Sequence, residues 1–153
     1  MFLPAPVGIL WGGLVAGILD GLDALLFFSV VVGLPPGRIF QFIASGLLGP
    51  KAFESGGSVA LGVVCHFVVA FGAAAAYYLL SRMIPSLLAH PFLWGPLFGI
   101  GVYCFMQYVV IPLSLVPKRG AATWVGLLNQ LFAHTVLVGL PIALAAQRAA
   151  RRT

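Results

Sequence analysis

Four stretches of this chain, roughly residues 7–33, 58–81, 92–113 and 122–146, are apolar over the ~20 residues or more that a helix needs to cross the hydrocarbon core of a bilayer. That pattern leaves little choice of fold. With 61% hydrophobic residues, 7% charged residues and a mean hydropathy of +1.11 over 153 residues, there is too little polar surface to coat a soluble globule. The expectation is an all-α membrane protein: a single domain, residues 1–153, with four transmembrane helices in a bundle. The first stretch is expected to stay in the mature protein. No Lys or Arg precedes it, it is about twice as long as a signal-peptide core, and two acids interrupt it.

Helix breakers separate the stretches. Pro35-Pro36-Gly37 ends the first, Pro85 and Pro91 bracket the second loop, and Pro112 with Pro117 closes the third before Lys118-Arg119. The first connection is different. Ile39, Phe40, Ile43 and Leu47 recur at helical spacing while Arg38, Gln41 and Ser45 fall elsewhere, and Gly49-Pro50 stops the segment. About twelve residues, 38–49, are too few to span. They predict a short helix that lies in the interface or dips re-entrantly into the mouth of the bundle.

Charge sets partners more clearly than orientation. An even number of spans puts both termini on one side, where Arg82, Arg148, Arg151 and Arg152 collect, against Arg38, Lys51, Lys118 and Arg119 on the other. The positive-inside count is tied. The dense Arg148 to Arg152 cluster next to a span points to cytoplasmic termini. The net charge of +5 implies the lipid bilayer as partner, since flanking Lys and Arg meet anionic headgroups. No basic stretch is interleaved with aromatics, so nucleic acid is not expected.

Two of the three acids in the chain, Asp20 and Asp23, fall inside the first span, where an ionised side chain costs several kcal/mol. They share a face with Gly13, Ala16, Gly17 and Gly21. The other spans repeat the association of small and polar residues: Ser58, Gly62, His66, Ala70 and Ala73; then Gly95, Gly99, Tyr103 and Gln107; then Gly126, Gln130 and His134. Each helix is expected to turn this stripe inward. Taking Trp11, Arg82, Trp94 and Arg148 as interface markers at ~1.5 Å per residue, Asp23 lies about 18 Å from the terminus side, Gln107 about 20 Å, His134 about 21 Å and His66 about 24 Å. One slab would hold them all. Trp11-Gly12 and Trp94-Gly95, with one His in each even-numbered span, further suggest a repeated hairpin related by a pseudo-twofold along the membrane normal.

His66, Tyr77 eleven residues on, Pro85 eight after that, the Trp94-Gly95 opening, Gln107 before Pro112-Leu113, and Asn129-Gln130 ahead of His134 together resemble the YagU-type bacterial inner-membrane proteins. The resemblance is strongest over residues 57–135. Gly13 to Gly17 and Pro35-Pro36-Gly37-Arg38 echo the family's first helix and its Pro-Pro-Arg. The chain departs from the family at Asp20 and Asp23, where a serine and a basic residue are usual nearby, and at Gln107, where a histidine is usual. The resemblance implies a four-helix protein of the bacterial inner membrane and carries no established activity with it.

The candidate site is therefore Asp20, Asp23, His66, Gln107, Gln130 and His134. Two carboxylates one turn apart in low dielectric do not both ionise readily, so a proton shared between them or with an imidazole is expected. Asp and His chains within membranes form proton relays, and histidine titrates near neutrality. Proton or small-ion passage is one reading. The other is a non-catalytic scaffold or accessory subunit, in which the polar groups only hold helices together at ~0.6–2 kcal/mol each. Gly-rich faces would then dock a second copy or a partner membrane protein. Zinc, manganese or haem ligation by the two His and two Asp has no supporting signature, and there is no nucleophile elbow, phosphate loop or H-E-x-x-H. No enzyme activity, cofactor or metal is expected. Cys65 and Cys104 sit mid-span and should pack rather than pair, and Glu54, near Lys51, should be solvated.

Overall fold

A computed structural model describes residues 5–117 and 123–151 of the chain. The described residues form helices and no strands. Four of the helices are long and apolar enough to cross a membrane: Ala5–Val30, Gly57–Met83, Pro91–Leu113 and Trp124–Arg151, hereafter the first to fourth spans. Their outward positions are apolar, with Ile18, Leu22, Leu26, Val68, Ile100 and Leu128 all exposed. In water such a surface would be an aggregation hazard; in lipid it is the solvated face.

Local chemistry sets the ends. The first span stops at Val30, three residues before the hydropathy does, because Gly33 takes φ +76° and the Leu34 N–H donates to the Phe28 carbonyl at 2.9 Å. This is the glycine-closed helix end in which a backbone bond reaches back over the last turn. The fourth span starts at Trp124, where Thr123 caps it by accepting from the Gly126 N–H at 3.1 Å. It runs to Arg151, five residues beyond the apolar stretch, because the alanines around Gln147 and Arg148 keep the helix going after hydropathy falls.

The connector helix runs Pro36–Leu48, with Pro36 in its first turn, where its missing N–H is no loss. Gly49 and Pro50 end the α-helix but not the helical path, which continues as a 3₁₀ segment over Gly49–Phe53. The expected faces of this helix need revision. Ser45, assigned to the polar side, is fully buried and donates to the Phe42 carbonyl at 2.6 Å, while Leu47 is 63% exposed. The reason is a grip from two sides. The Phe40 backbone rides over Gly62 of the second span, and the Gly46 carbonyl accepts from the Leu115 N–H at 3.0 Å, just beyond the third span.

The spans pack in the order second, first, fourth, third. The first lies between the second and the fourth, and the third packs on the fourth. Among the described residues the second and third spans have no contact comparable to that of the first and fourth. A pseudo-twofold would require one, so the hairpin repeat is not realised in the packing. The connector helix occupies the flank of the second span instead.

The two halves of the assembly differ. Toward the chain ends lies a dry core of Ala16, Ala74, Tyr77, Val138, Ile142 and Ala146, with Trp94 and Phe98 packed against it. Tyr77, fully buried and edge-on to Phe98 at 5.0 Å, donates its hydroxyl to the Leu87 carbonyl at 2.9 Å. Gln147 donates to the neighbouring Leu88 carbonyl at 2.6 Å. Both bonds tie down the short helix Ser86–Ala89 that joins the second and third spans. The half nearer the connector helix is hollow.

Candidate functional site

All six candidates, Asp20, Asp23, His66, Gln107, Gln130 and His134, line one cavity of about 370 Å³. They come from every span. Counted along each helix from its connector-side end at ~1.5 Å per residue, they lie at depths of about 9–15 Å. The shared slab is thus present, displaced from mid-span toward the connector helix. That helix closes the slab with Ile39, Phe42 and Ile43, and Leu34 stands beside them.

His66 reaches across to the first span. Its Nε2 is 2.8 Å from the Gly17 carbonyl oxygen, an acceptor only, so the Nε2–H donates. Gly17 already serves as acceptor within its own helix, and the second bond is reachable because residue 21, one turn on, lacks a side chain. A Cβ there would stand 3.3 Å from Nε2. The donor role of Nε2 leaves Nδ1 of a neutral ring with a lone pair, directed at Asp20 Oδ2 3.9 Å away. Two lone pairs repel. The edge becomes attractive when one proton sits on Nδ1 or on the carboxyl, directly or through a bridging water. The side chains of His66 and Asp20 are only 12% and 24% exposed, which strengthens the pairing relative to one in water.

Asp23 faces the fourth span, where Asn129 Nδ2 donates to its Oδ2 at 2.8 Å. Asp20 and His134 border the same cavity as Asp23. His134 adopts the opposite tautomer to His66. Its Nδ1–H donates to the Gln130 carbonyl at 2.9 Å, leaving Nε2 as the basic nitrogen, and Tyr103 meets the ring edge-on at 5.6 Å. The two histidines therefore present complementary functions: one fixed as an Nε2 donor, the other fixed with Nε2 free.

Gln107 and His134 each lie in a segment of π-helix, Met106–Val110 and Ala133–Gly139. Each segment ends two residues before a proline, Pro112 and Pro141. Proline has no N–H to give the carbonyl four residues back, and its ring pushes that carbonyl aside, so the preceding turns widen. Pro112 stands one residue before the last of the third span, Leu113. The fourth-span helix can widen in this way and still pack tightly because the crossing is made of backbone. Gly99 lies on the His134 and Thr135 backbone, and Gly139 lies on Gly95.

Asn129 and Tyr103 were not among the candidates. Tyr103 shares the expected inward face, and Asn129 is adjacent to Gln130, so on a helix it points about 100° away from it. The available signal was energetic: an amide within an apolar span needs a partner, and the two acids of the first span, Asp20 and Asp23, were acceptors without an assigned donor. Among the described residues no three His, Cys, Asp or Glu side chains are grouped closely enough to hold a metal ion. Cys65 and Cys104 are free thiols, and Glu54 is exposed. Three of the eight charges counted for orientation, Lys118, Arg119 and Arg152, lie outside the described residues. No protein-family model, curated protein or solved structure matches the chain.

Proposed function

We propose that this chain is a bacterial inner-membrane protein, related to the YagU type, with its termini cytoplasmic. Its four spans form a bundle, and the connector helix sits over the mouth of a proton or small-cation pathway. The observation that carries the reading is the convergence of six polar side chains, scattered from Asp20 to His134, on one cavity. Polar groups that served only as glue would be satisfied pairwise wherever two helices touch. Here the groups that do pair across helices, His66 with Gly17 and Asp23 with Asn129, also border a space shared with Asp20, Gln107, Gln130 and His134.

The proton-holding unit is the Asp20–His66 edge, and Asp23, Gln107, Gln130 and His134 extend it across the cavity. The acids and bases at its wall are read as carriers of charge rather than as catalysts. The glycines argue the same way. Gly13, Gly17, Gly62, Gly95 and Gly99 are used up inside the monomer, which leaves Gly72 and Gly101 as open small-residue positions for a second copy or a partner.

Dye-loaded liposomes provide the test. Wild-type protein should collapse an imposed pH gradient faster than empty vesicles, and Asp20→Asn/Asp23→Asn should not. Equal rates for wild type and variant would remove the pathway. A scaffold reading is favoured by one observation, the Asn129–Asp23 bond between the first and fourth spans. Asp23→Asn retains an acceptor for Asn129 and discards the charge, whereas Asp23→Ala discards both. A scaffold loses thermal stability only in Asp23→Ala and shows no flux in any form.

A further inference from the structure

We infer that the cavity accepts an apolar organic cation, a protonated or quaternary amine of about ten to fifteen heavy atoms, which displaces a proton from the acids. This deepens the pathway reading and rests on it for the charge-holding role of Asp20 and Asp23. Size is the first argument. At ~30 Å³ per water, about 370 Å³ holds roughly a dozen waters, and it falls within the ~300–1,000 Å³ range of small-molecule pockets. A proton moving between Asp20 and His66, 3.9 Å apart, needs one bridging water at most.

The wall is the second argument. Phe28, Ile39, Ile43, Val69 and Val102 make most of it apolar. A hard cation requires six or more oxygens gathered around one point to replace its hydration shell; the side-chain oxygens here, on Asp20, Asp23, Tyr103, Gln107 and Gln130, come from three different spans, and among the described residues no three His, Cys, Asp or Glu are grouped closely enough to hold a metal ion. An alkyl or aryl ammonium does not need them, because its carbon surface is favourably buried and its charge needs only a carboxylate or an aromatic face. Phe28 and Tyr103 supply aromatic rings at the wall.

Charge is the third. The titratable groups at the cavity are Asp20 and Asp23 from the first span, His66 from the second, Tyr103 from the third and His134 from the fourth; the connector contributes none, and no Lys or Arg lines the space. The site therefore selects against anions. An ammonium beside Asp20 takes the place of the proton on the Asp20–His66 edge, because two positive charges do not share that low-dielectric spot. One cation enters and one proton leaves, and the charge of the site is unchanged.

Isothermal titration of the full chain in a non-ionic detergent tests this with benzyltrimethylammonium, using benzyl alcohol and benzoate as neutral and anionic controls of similar size. The expected result is saturable binding of the cation alone, with proton release shown by dependence of the heat on the buffer. Affinity should weaken as the pH is lowered, approaching about tenfold per unit where one proton is displaced per cation. Asp20→Asn/Asp23→Asn should weaken binding by about tenfold or more. Val69→Phe, which fills the space and leaves both acids in place, should weaken it as well, so the conclusion does not depend on the folding of one variant. Equal binding of benzyl alcohol, no saturable heat in wild type, or unchanged affinity in the Asn variant overturns the inference. Acid-dependent proton flux without cation binding would defeat the inference and leave the pathway standing. Cation binding without flux would defeat the pathway and leave the site.

Discussion

The glycines of this chain separate by what a methyl group at each would touch. At residue 62 a Cβ would collide with the Phe40 carbonyl of the connector helix, and backbone on backbone has nowhere to move. Gly62→Ala should therefore cost on the order of 1–3 kcal/mol and lift the connector off the second span. Gly101 meets nothing within 4 Å, and Gly101→Ala should be neutral or more stable by about 0.5–1 kcal/mol from the gain in helix propensity. Thermal unfolding in detergent, read by helical circular dichroism, orders the two; a Gly62→Ala midpoint equal to that of Gly101→Ala would contradict the close crossing. Tyr77 makes a similar point with a hydroxyl. Tyr77→Phe keeps the ring against Phe98 and leaves the buried Leu87 carbonyl without its donor, so about 1–3 kcal/mol should be lost. The His66, Tyr77, Pro85 spacing combines two unlike roles: His66 serves the cavity, and Tyr77 fastens the turn that Pro85 begins.

At the scale of elements, the two prolines inside spans do more than punctuate. Pro112 reads from the sequence as a terminator and Pro141 as one apolar residue among many. In the structure each follows a widened segment that carries a cavity residue. A π-turn takes an extra residue into each turn, which rotates everything before it relative to a regular α-helix. Pro141→Ala restores an N–H within reach of the Leu137 carbonyl and should draw the segment toward α geometry. That turns His134 away from the cavity. The expected signature is a slower proton leak in liposomes together with an unchanged or higher unfolding midpoint, an opposition that simple misfolding does not produce. A leak equal to wild type would mean that the π-turn is not what aims His134. Helix number and approximate ends were legible because hydropathy and breakers are local properties. The π-turns, the 3₁₀ continuation past Gly49 and the burial of Ser45 were not, because each depends on which neighbour presses from outside the segment. The repeat suggested by Trp11-Gly12 and Trp94-Gly95 was misleading for the same reason: two short matches describe helix starts, and packing is decided along the whole length.

The whole molecule joins a packed half to a hollow one, and that division sorts its polar residues. Convergence of the site was legible because stripe and depth are both set by helical geometry, which any span obeys. The partners within the site were not, since Asn129 against Asp23 and His66 against Gly17 depend on the relative rotation and height of the spans. The same division predicts opposite responses to one kind of substitution. Ala74 is 3% exposed in the dry core, beside Gly12 of the first span. Ala24 lies on the same first span as Asp20 and Asp23 and borders the cavity. Ala74→Leu forces extra methylenes into filled space and should destabilise by about 1–3 kcal/mol. Ala24→Leu extends into a cavity of about 370 Å³, buries its added carbons and should hold or raise stability. Function should invert that order. Ala74→Leu protein that survives reconstitution should retain its proton leak, because the acids and their space are untouched. Ala24→Leu, although stable, should leak less, because the larger side chain takes up the space between Asp20, Asp23 and the far wall. Paired unfolding curves and liposome fluxes measure both axes. If the stable variant leaked at the wild-type rate, the cavity would be space without a role, and the polar groups around it would be fasteners between helices.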